Sequence, residues 1–325
     1  MSLRNYVIRR LLQIFVVYWV FITILFFLFR MVPGDPTSMY VIHGLSPQAR
    51  EAMIARLGLD APLHIQYFTY IQNLLTLDFG LSFTYRQPVS EVLYLRFFNT
   101  IFLMGAALII AYFIGLLVGS MMGWKRDSSF ERGGLIMALI ARSSPEFWTG
   151  IVLLTVFALY LGWFPTGGIR SLDAEITTFW GRYLAWDFVW HMILPMLTGA
   201  IYFAATPLLL MRNTIIDVLD EDYIEIKEAE GFSQYRILYV HAVRNSVLPL
   251  VTIAAIMTGA AIGGSVVIET VFNWPGMGRE MVRAIHAQDY PVAMGAFFLM
   301  GSVVIFMNLV ADILYAYLDP RVKYD

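Results

Sequence analysis

The chain has 325 residues, of which 59% are hydrophobic and only 14% charged, with a formal net charge of −2. That is not the composition of a soluble globular domain, and without a basic stripe it does not suit a nucleic-acid partner. There is no cysteine, which excludes disulfide frameworks and thiol chemistry.

Arg4, Arg9 and Arg10 precede Leu11–Phe29, a 19-residue apolar run. It is long for a secretory h-region, and no small-residue cleavage site follows. It reads as an uncleaved first span with a cytoplasmic N-terminus. Residues 31–99 form a polar insert of 69 residues. Ser46-Pro47 marks a helix start and Gly58 its stop. A second helix is predicted from about Pro62 to Leu77, with Leu63, Tyr67, Tyr70, Ile71, Leu74 and Leu75 on one face. Together these predict a small helical external subdomain packed on the membrane domain.

Thr100–Gly123 is the second span. Ala111, Gly115, Gly119 and Gly123 recur every four residues, so one face is open to close approach by a neighbouring helix. Trp124–Gly133 is a short charged loop. Gly134–Phe164 is the third span, interrupted by Arg142-Ser-Ser-Pro145-Glu146. Charges and a proline inside an apolar run are costly in lipid. Either the helix breaks beside an aqueous pathway, or Gly134–Ala141 lies near the interface and Phe147–Phe164 spans alone; a break is favoured. Pro165–Trp190 is an outer loop whose Trp180, Tyr183, Trp186 and Trp190 suit a headgroup-level belt. His191–Met211 is the fourth span, with Pro195 and Pro207 placed to bend it.

Asp217–Pro249 follows. Seven of the fourteen residues Asp217–Glu230 are acidic, and Leu219, Tyr223 and Ile226 recur at helical spacing among them. Gly231 stops that helix. A second helical run, Gln234–Val243, ends near Asn245 and Pro249. A helix–Gly–helix elbow suits docking to a soluble partner; an ordinary solvated loop is the other reading of the same residues. Val247–Val267 is the fifth span, with Ala255, Gly259 and Gly263 on one face. Glu269–Gly278 lies at its outer end, where Pro275-Gly276 makes a turn predicted to line an outer gate. Val292–Leu318 is the sixth span and carries Asn308 and Asp312.

Six spans place both termini on the cytoplasmic side. Twelve Lys and Arg then lie inside against four in the short outer loops, as the positive-inside rule requires. The intramembrane polar set is Arg142, Glu146, Glu269, Asn308 and Asp312. Such residues face an aqueous cavity, pair between helices, or sit at the interface. There is no GxxxxGK[ST] phosphate loop, no HExxH and no GxSxG. The five His are scattered without metal-ligand spacing. A self-contained secondary carrier would need broken helices within repeats, and none is seen. A membrane hydrolase would need a nucleophile–base pair or paired carboxylates at depth.

Several motifs resemble the permease subunits of ABC importers of the dipeptide/oligopeptide/nickel transport family. Glu225 and Gly231 take the Glu and Gly of the ATPase-docking EAA loop, with Ile226 and Lys227 where alanines are usual. His241-Ala-Val-Arg-Asn245 with Leu248-Pro249 is similar to that family. So are Pro33-Gly34-Asp35-Pro36, Gly58-Leu59-Asp60, Gln66-Tyr67, Asp78-Phe79-Gly80, Pro88-Val89, Glu269–Gly278 and Leu318-Asp-Pro-Arg321. The matches run through the whole chain in order. The resemblance implies an all-α integral membrane protein of the type I ABC importer permease kind, with six transmembrane helices. Its parts would be residues 1–30, the insert 31–99, and a core 100–325 with the docking loop at about 213–248. It implies ATPase coupling through Tyr223, Glu225, Lys227, Glu228, Ala229, Gly231, His241 and Asn245. Outer-gate residues would be Glu269, Phe272, Asn273, Trp274, Pro275 and Gly276. The implied partners are a second homologous permease, two ABC ATPase subunits that carry the ATP and Mg²⁺, and an external binding protein. The chain itself would hold no cofactor or metal and catalyse nothing. It would sit in the cytoplasmic (inner) membrane and pass peptides, with nickel chelates, glutathione or oligosaccharides as alternatives.

Overall fold

A computed structural model describes residues 3–30, 48, 61–171, 178–264 and 266–318. Apolar runs too long for a globular core become long helices: α1 (Leu3–Arg30), α3 (Val89–Trp124), α7 (Trp186–Leu219), α9 (Val243–Gly264) and α12 (Tyr290–Leu318). Between them lie α2 (Leu63–Leu75), α4 (Ser129–Ser143), α5 (Glu146–Leu153), α6 (Phe179–Tyr183), α8 (Asp222–Ala229), α10 (Val266–Val271) and α11 (Met277–His286). Among the described residues five helices are long and apolar enough to cross a membrane, and Glu146–Tyr160 is a shorter apolar helix.

The spine is α3 against α7, the most extensive helix pairing among the described residues. In hydrocarbon there is no hydrophobic drive between helices, so association rests on close packing. The glycine stripe supplies it. A Cβ on Gly115 would lie 2.6 Å from Pro207 Cβ, one on Gly119 2.6 Å from the Leu208 carbonyl oxygen, and one on Gly123 2.7 Å from that of Arg212. Gly115 thus sits where α7 carries an interior proline. α9 packs on α12, where Gly259 faces Val304 and Met307; Gly263 of the same predicted face lies outside the described side chains. α1 lies on α12 through the Phe21 ring on Gly301 and a Tyr18–Ser302 hydrogen bond of 2.8 Å.

The insert's second helix packs on α1. Tyr67 bonds Thr23 at 2.6 Å, and Phe26 meets the Tyr67 and Tyr70 rings. Its buried face is Gln66, Tyr70 and Leu74, whereas Leu63 and Leu75 are exposed, against expectation. The pattern followed apolarity; contact with α1 selects the i, i+4, i+8 row instead. The Ser46–Gly58 helix lies outside the described residues, except that Gln48 is helical. The second span starts at Val89, well before the expected Thr100, because Pro88 supplies a helix start ahead of an apolar run. The third span is divided. Pro145 holds Ser144 extended (ψ 127°), so α4 ends and α5 begins, with a π-helical turn at Leu154–Tyr160. In the aromatic cluster Trp180 and Trp186 are exposed, but Tyr183 is buried, stacked on Phe102 at 4.4 Å.

Gly119→Leu should therefore force α3 and α7 apart. Its thermal midpoint in detergent should fall, on the scale of about 1–3 kcal/mol for overpacking. Gly105→Ala has open space around it and should leave the midpoint unchanged or slightly higher. Equal effects of the two changes would refute the seam.

Candidate functional site

The elbow begins where α7 ends at Leu219. After two intervening residues α8 starts, rather than one helix running from Asp217 to Glu230 as expected. Gly231 has φ +79°, its N–H donates to the Glu228 carbonyl (2.9 Å), and the Phe232 N–H to that of Lys227 (3.3 Å). That is a Schellman closure, which favours glycine at this position. The chain re-enters a helix at Gln234–Arg236, passes a π-helical turn at Ile237–Ala242 and continues into α9. The predicted end near Asn245 and Pro249 is not there: Pro249 sits inside α9. Packing of Ala242, Val243, Val247 and Leu250 holds the run helical, and one missing N–H does not end a long ladder.

One cluster seats the elbow. Ile224, Ile237, Leu238, Ala242 and Leu250 pack with Met211 and Ile215 of α7, and Tyr112, Leu116 and Trp124 of α3 close around them. So the face of α8 turned inward is that of Ile224, 3% exposed, while Ile226 is 56% exposed, contrary to the predicted stripe. Asn245 Nδ2 donates to the Tyr223 hydroxyl at 2.7 Å. Lys227 pairs with Glu230 at 2.7 Å and lies over the Phe232 ring, as does Arg236; the His241 ring packs on the same phenyl group. Tyr223, Lys227, His241 and Asn245 thus have partners within the elbow, and Gly231 makes its turn. Glu225, Glu228 and Ala229 face outward beside Ile226 and Tyr235.

Arg212, on the stretch of α7 that feeds the elbow, is anchored to α4. Ser128 Oγ accepts the Glu131 N–H at 3.2 Å, and the Glu131 carboxylate accepts the Asp127 N–H at 2.5 Å and Arg212 Nε at 2.8 Å. The hydrogen bonds from Arg212, aided by that of Asp127, hold the buried carboxyl below its ordinary value of 4.5, against the opposing effect of burial.

At the other end of the bundle, α10 and α11 meet α3. Thr100 Oγ1 donates to Glu269 (2.5 Å) and accepts the Met277 N–H (2.8 Å), while the Arg279 N–H donates to the same carboxylate (2.8 Å). The unpaired N–H groups that begin α11 are capped by side chains from two other helices. Asn99 bonds the Pro275 carbonyl (2.8 Å), and its own carbonyl accepts from Trp274 Nε1 (3.1 Å). Of the residues expected at an outer gate, Glu269, Phe272, Trp274 and Gly276 are buried within the chain. Gly276 lies against the Glu269 carboxylate, where a Cβ would come within 2.1 Å. Only Asn273, at φ 50°, is exposed, and Pro275 is half-buried. The turn folds inward, next to the side chains that cap α11.

The remaining polar candidates do not converge. Arg142 is exposed, 3.3 Å from Thr206 Oγ1, and Glu146 is half-buried at the start of α5; among the described residues neither pairs with an opposite charge. Asn308 is exposed, and Asp312 is an interhelical ion pair with Arg10 (2.5 Å). Sequence reasoning missed Asn99, Thr100, Glu131 and Phe232. Ser128-x-x-Glu131 is a legible capping box; the other three carry no sequence signal.

At pH 7 Glu131→Gln should lower the thermal midpoint by about 1–3 kcal/mol of stability. Because the folded pKa is depressed, that stability is fully present above the ordinary carboxyl value and is lost as pH falls through the lower folded one. The gap between wild type and variant should therefore close in acid; a pH-independent gap would contradict the ion pair.

Residues 115–324 match the family model for the binding-protein-dependent transport system inner membrane component, and residues 3–104 match the N-terminal model of such membrane components. The chain is 36% identical over 320 residues to the oligopeptide transport system permease protein AppB of Bacillus subtilis (strain 168), covering 98% of this chain and 99% of that protein. It is 33% identical over 330 residues to the dipeptide transport system permease protein DppB of Alkalihalophilus pseudofirmus, with the same coverage. To the glutathione transport system permease protein GsiC of Salmonella typhimurium it is 35% identical over 324 residues, again across 98% and 99% of the two chains. The chain therefore belongs to the family of binding-protein-dependent transport system inner membrane components, as a multi-pass permease subunit of an ABC importer.

Proposed function

We propose that the chain forms half of a translocation pathway for short peptides and that separate ATPase subunits drive it through the elbow. One observation carries this reading: the outward face of α8 rides on a buried base shared by α3, α7 and α9. Force applied to Glu225, Ile226 and Glu228 is passed to helices instead of being absorbed by a loop. No phosphate-binding loop stands in the sequence, so ATP and Mg²⁺ belong to the partners and energy arrives by contact.

In this reading the elbow and both termini are cytoplasmic, which the twelve-to-four Lys and Arg asymmetry supports. The end holding Asn273 faces the external binding protein. A second, homologous permease completes the pathway. Arg142 and Glu146, without a charged partner among the described residues beside the α4–α5 break, line its aqueous interior. The relatives are named for oligopeptide, dipeptide and glutathione transport, which supports a peptide cargo, with glutathione as the second reading.

Glu225→Arg reverses a charge on the docking face. Gly231→Pro locks φ near −65° where +79° is needed and removes the N–H bonded to Glu228. In vesicles reconstituted with all partners, both variants should insert normally yet lose at least about tenfold in uptake per ATP hydrolysed, within the range of a typical coupling energy. Unchanged ATP-driven uptake in both would remove the elbow from the mechanism. Mass spectrometry of ligand trapped in the co-purified binding protein should show short peptides; a ligand without amide bonds would sink the cargo assignment.

A further inference from the structure

Phe232 is half-buried directly after the Gly231 turn, and three elements of the elbow converge on its ring. Lys227 Nζ, from the last turn of α8, lies 5.5 Å from the ring centroid. Arg236 Cζ, from the helical turn that follows, lies 4.6 Å away. The His241 imidazole, from the π-helical turn, lies 5.4 Å away with its plane tilted by 50°. The backbone supports the same placement, since the Phe232 N–H closes the turn onto the Lys227 carbonyl. A Schellman turn is commonly completed by an apolar contact between these two positions; here a cation over an aromatic face takes that role. Lys227 is also tied to Glu230, so its ammonium is steered over the ring rather than left to sample solvent.

From this geometry we infer that Phe232 is a positioning residue for coupling: an aromatic pin that fixes the angle of α8 to the helix entering α9. The inference rests on the proposed role of the elbow as the ATPase contact. Without the pin, Gly231 is a hinge with no Cβ, free of any neighbour within 4 Å of where one would stand. A push on α8 would then rotate it about Gly231 before moving α9. Ile224 in the core and the Tyr223–Asn245 hydrogen bond still tie one side of α8 to the segment that follows, but the ring contacts that support the backbone closure at the Gly231 end of α8 would be lost. The docking face itself, Glu225 and Glu228, is not part of the pin, so binding of the partner and transmission of its force are separable.

The test uses the assembled transporter in vesicles, with ATP hydrolysis, uptake and co-purification of the ATPase subunits measured together. Phe232→Leu keeps an apolar side chain and removes the ring face; Phe232→Tyr keeps the face. In Phe232→Leu the ATPases should still co-purify and hydrolyse ATP, while uptake per ATP falls about fivefold, the scale of one exposed cation–π contact. Phe232→Tyr should restore the wild-type ratio. Arg236→Met, a change at an exposed residue, should shift the ratio the same way by less, and it serves if Phe232→Leu does not fold. A wild-type ratio in both Phe232→Leu and Arg236→Met overturns the pin, as does failure of Phe232→Tyr to restore the ratio. Failure of the underlying reading is distinct: it would appear as normal uptake and assembly in Glu225→Arg.

Discussion

The two ends of this protein are connected by one seam, the close approach of α3 and α7 along Gly115, Gly119 and Gly123. A contact of this kind needs no buried charge and no apolar driving force, only the absence of side chains on one helix where the other brings its backbone near. Both ends hang from it. In the first half of α3, Asn99 and Thr100 hold the turn at Phe272–Gly278 and the start of α11. Towards the other, Leu116 and Trp124 pack around the elbow. Met211 and Ile215, near the far end of α7, are fully buried in that same elbow cluster. The seam is therefore the packed path between a cluster of caps and the elbow.

Breaks in helices within an apolar protein are costly unless their freed backbone groups find partners. This chain resolves its breaks in different ways. At Gly231 the backbone closes on itself. At the start of α11 the caps are side chains from α3 and α10, so the loop is folded inward and the predicted gate residues become buried. At the start of α4, Glu131 completes a cap and pairs with Arg212, which ties a helix terminus to α7 with the same carboxylate. The two side-chain devices tie a local irregularity to a neighbouring helix, which keeps the bundle stiff where chain geometry alone would loosen it.

That stiffness suits a subunit of an importer that lacks its own phosphate loop. The elbow's outward residues are mostly acidic or apolar, while its inward ones interlock. The division follows from the packing: side chains that reach Met211 and Ile215 are committed to the base, and the remainder face outward.

Composition and hydropathy by themselves determined the membrane class, the helical content, the approximate positions of the long helices and the polar elbow. These are legible because burial in lipid demands long uninterrupted apolar runs, and because glycine at a left-handed turn and proline at a helix start act locally. The glycine stripe was readable for the same reason: its period names a face, although not the helix that covers it. Only the tertiary structure decided that Ile224 and not Ile226 turns inward, that Pro249 is tolerated inside a helix, and that Glu269 caps α11. It alone joined Thr100 to Glu269, Glu131 to Arg212, and Phe232 to two cations and a histidine. These are contacts between residues distant in sequence or across a turn, set by how helices lie against one another, and no local pattern encodes that.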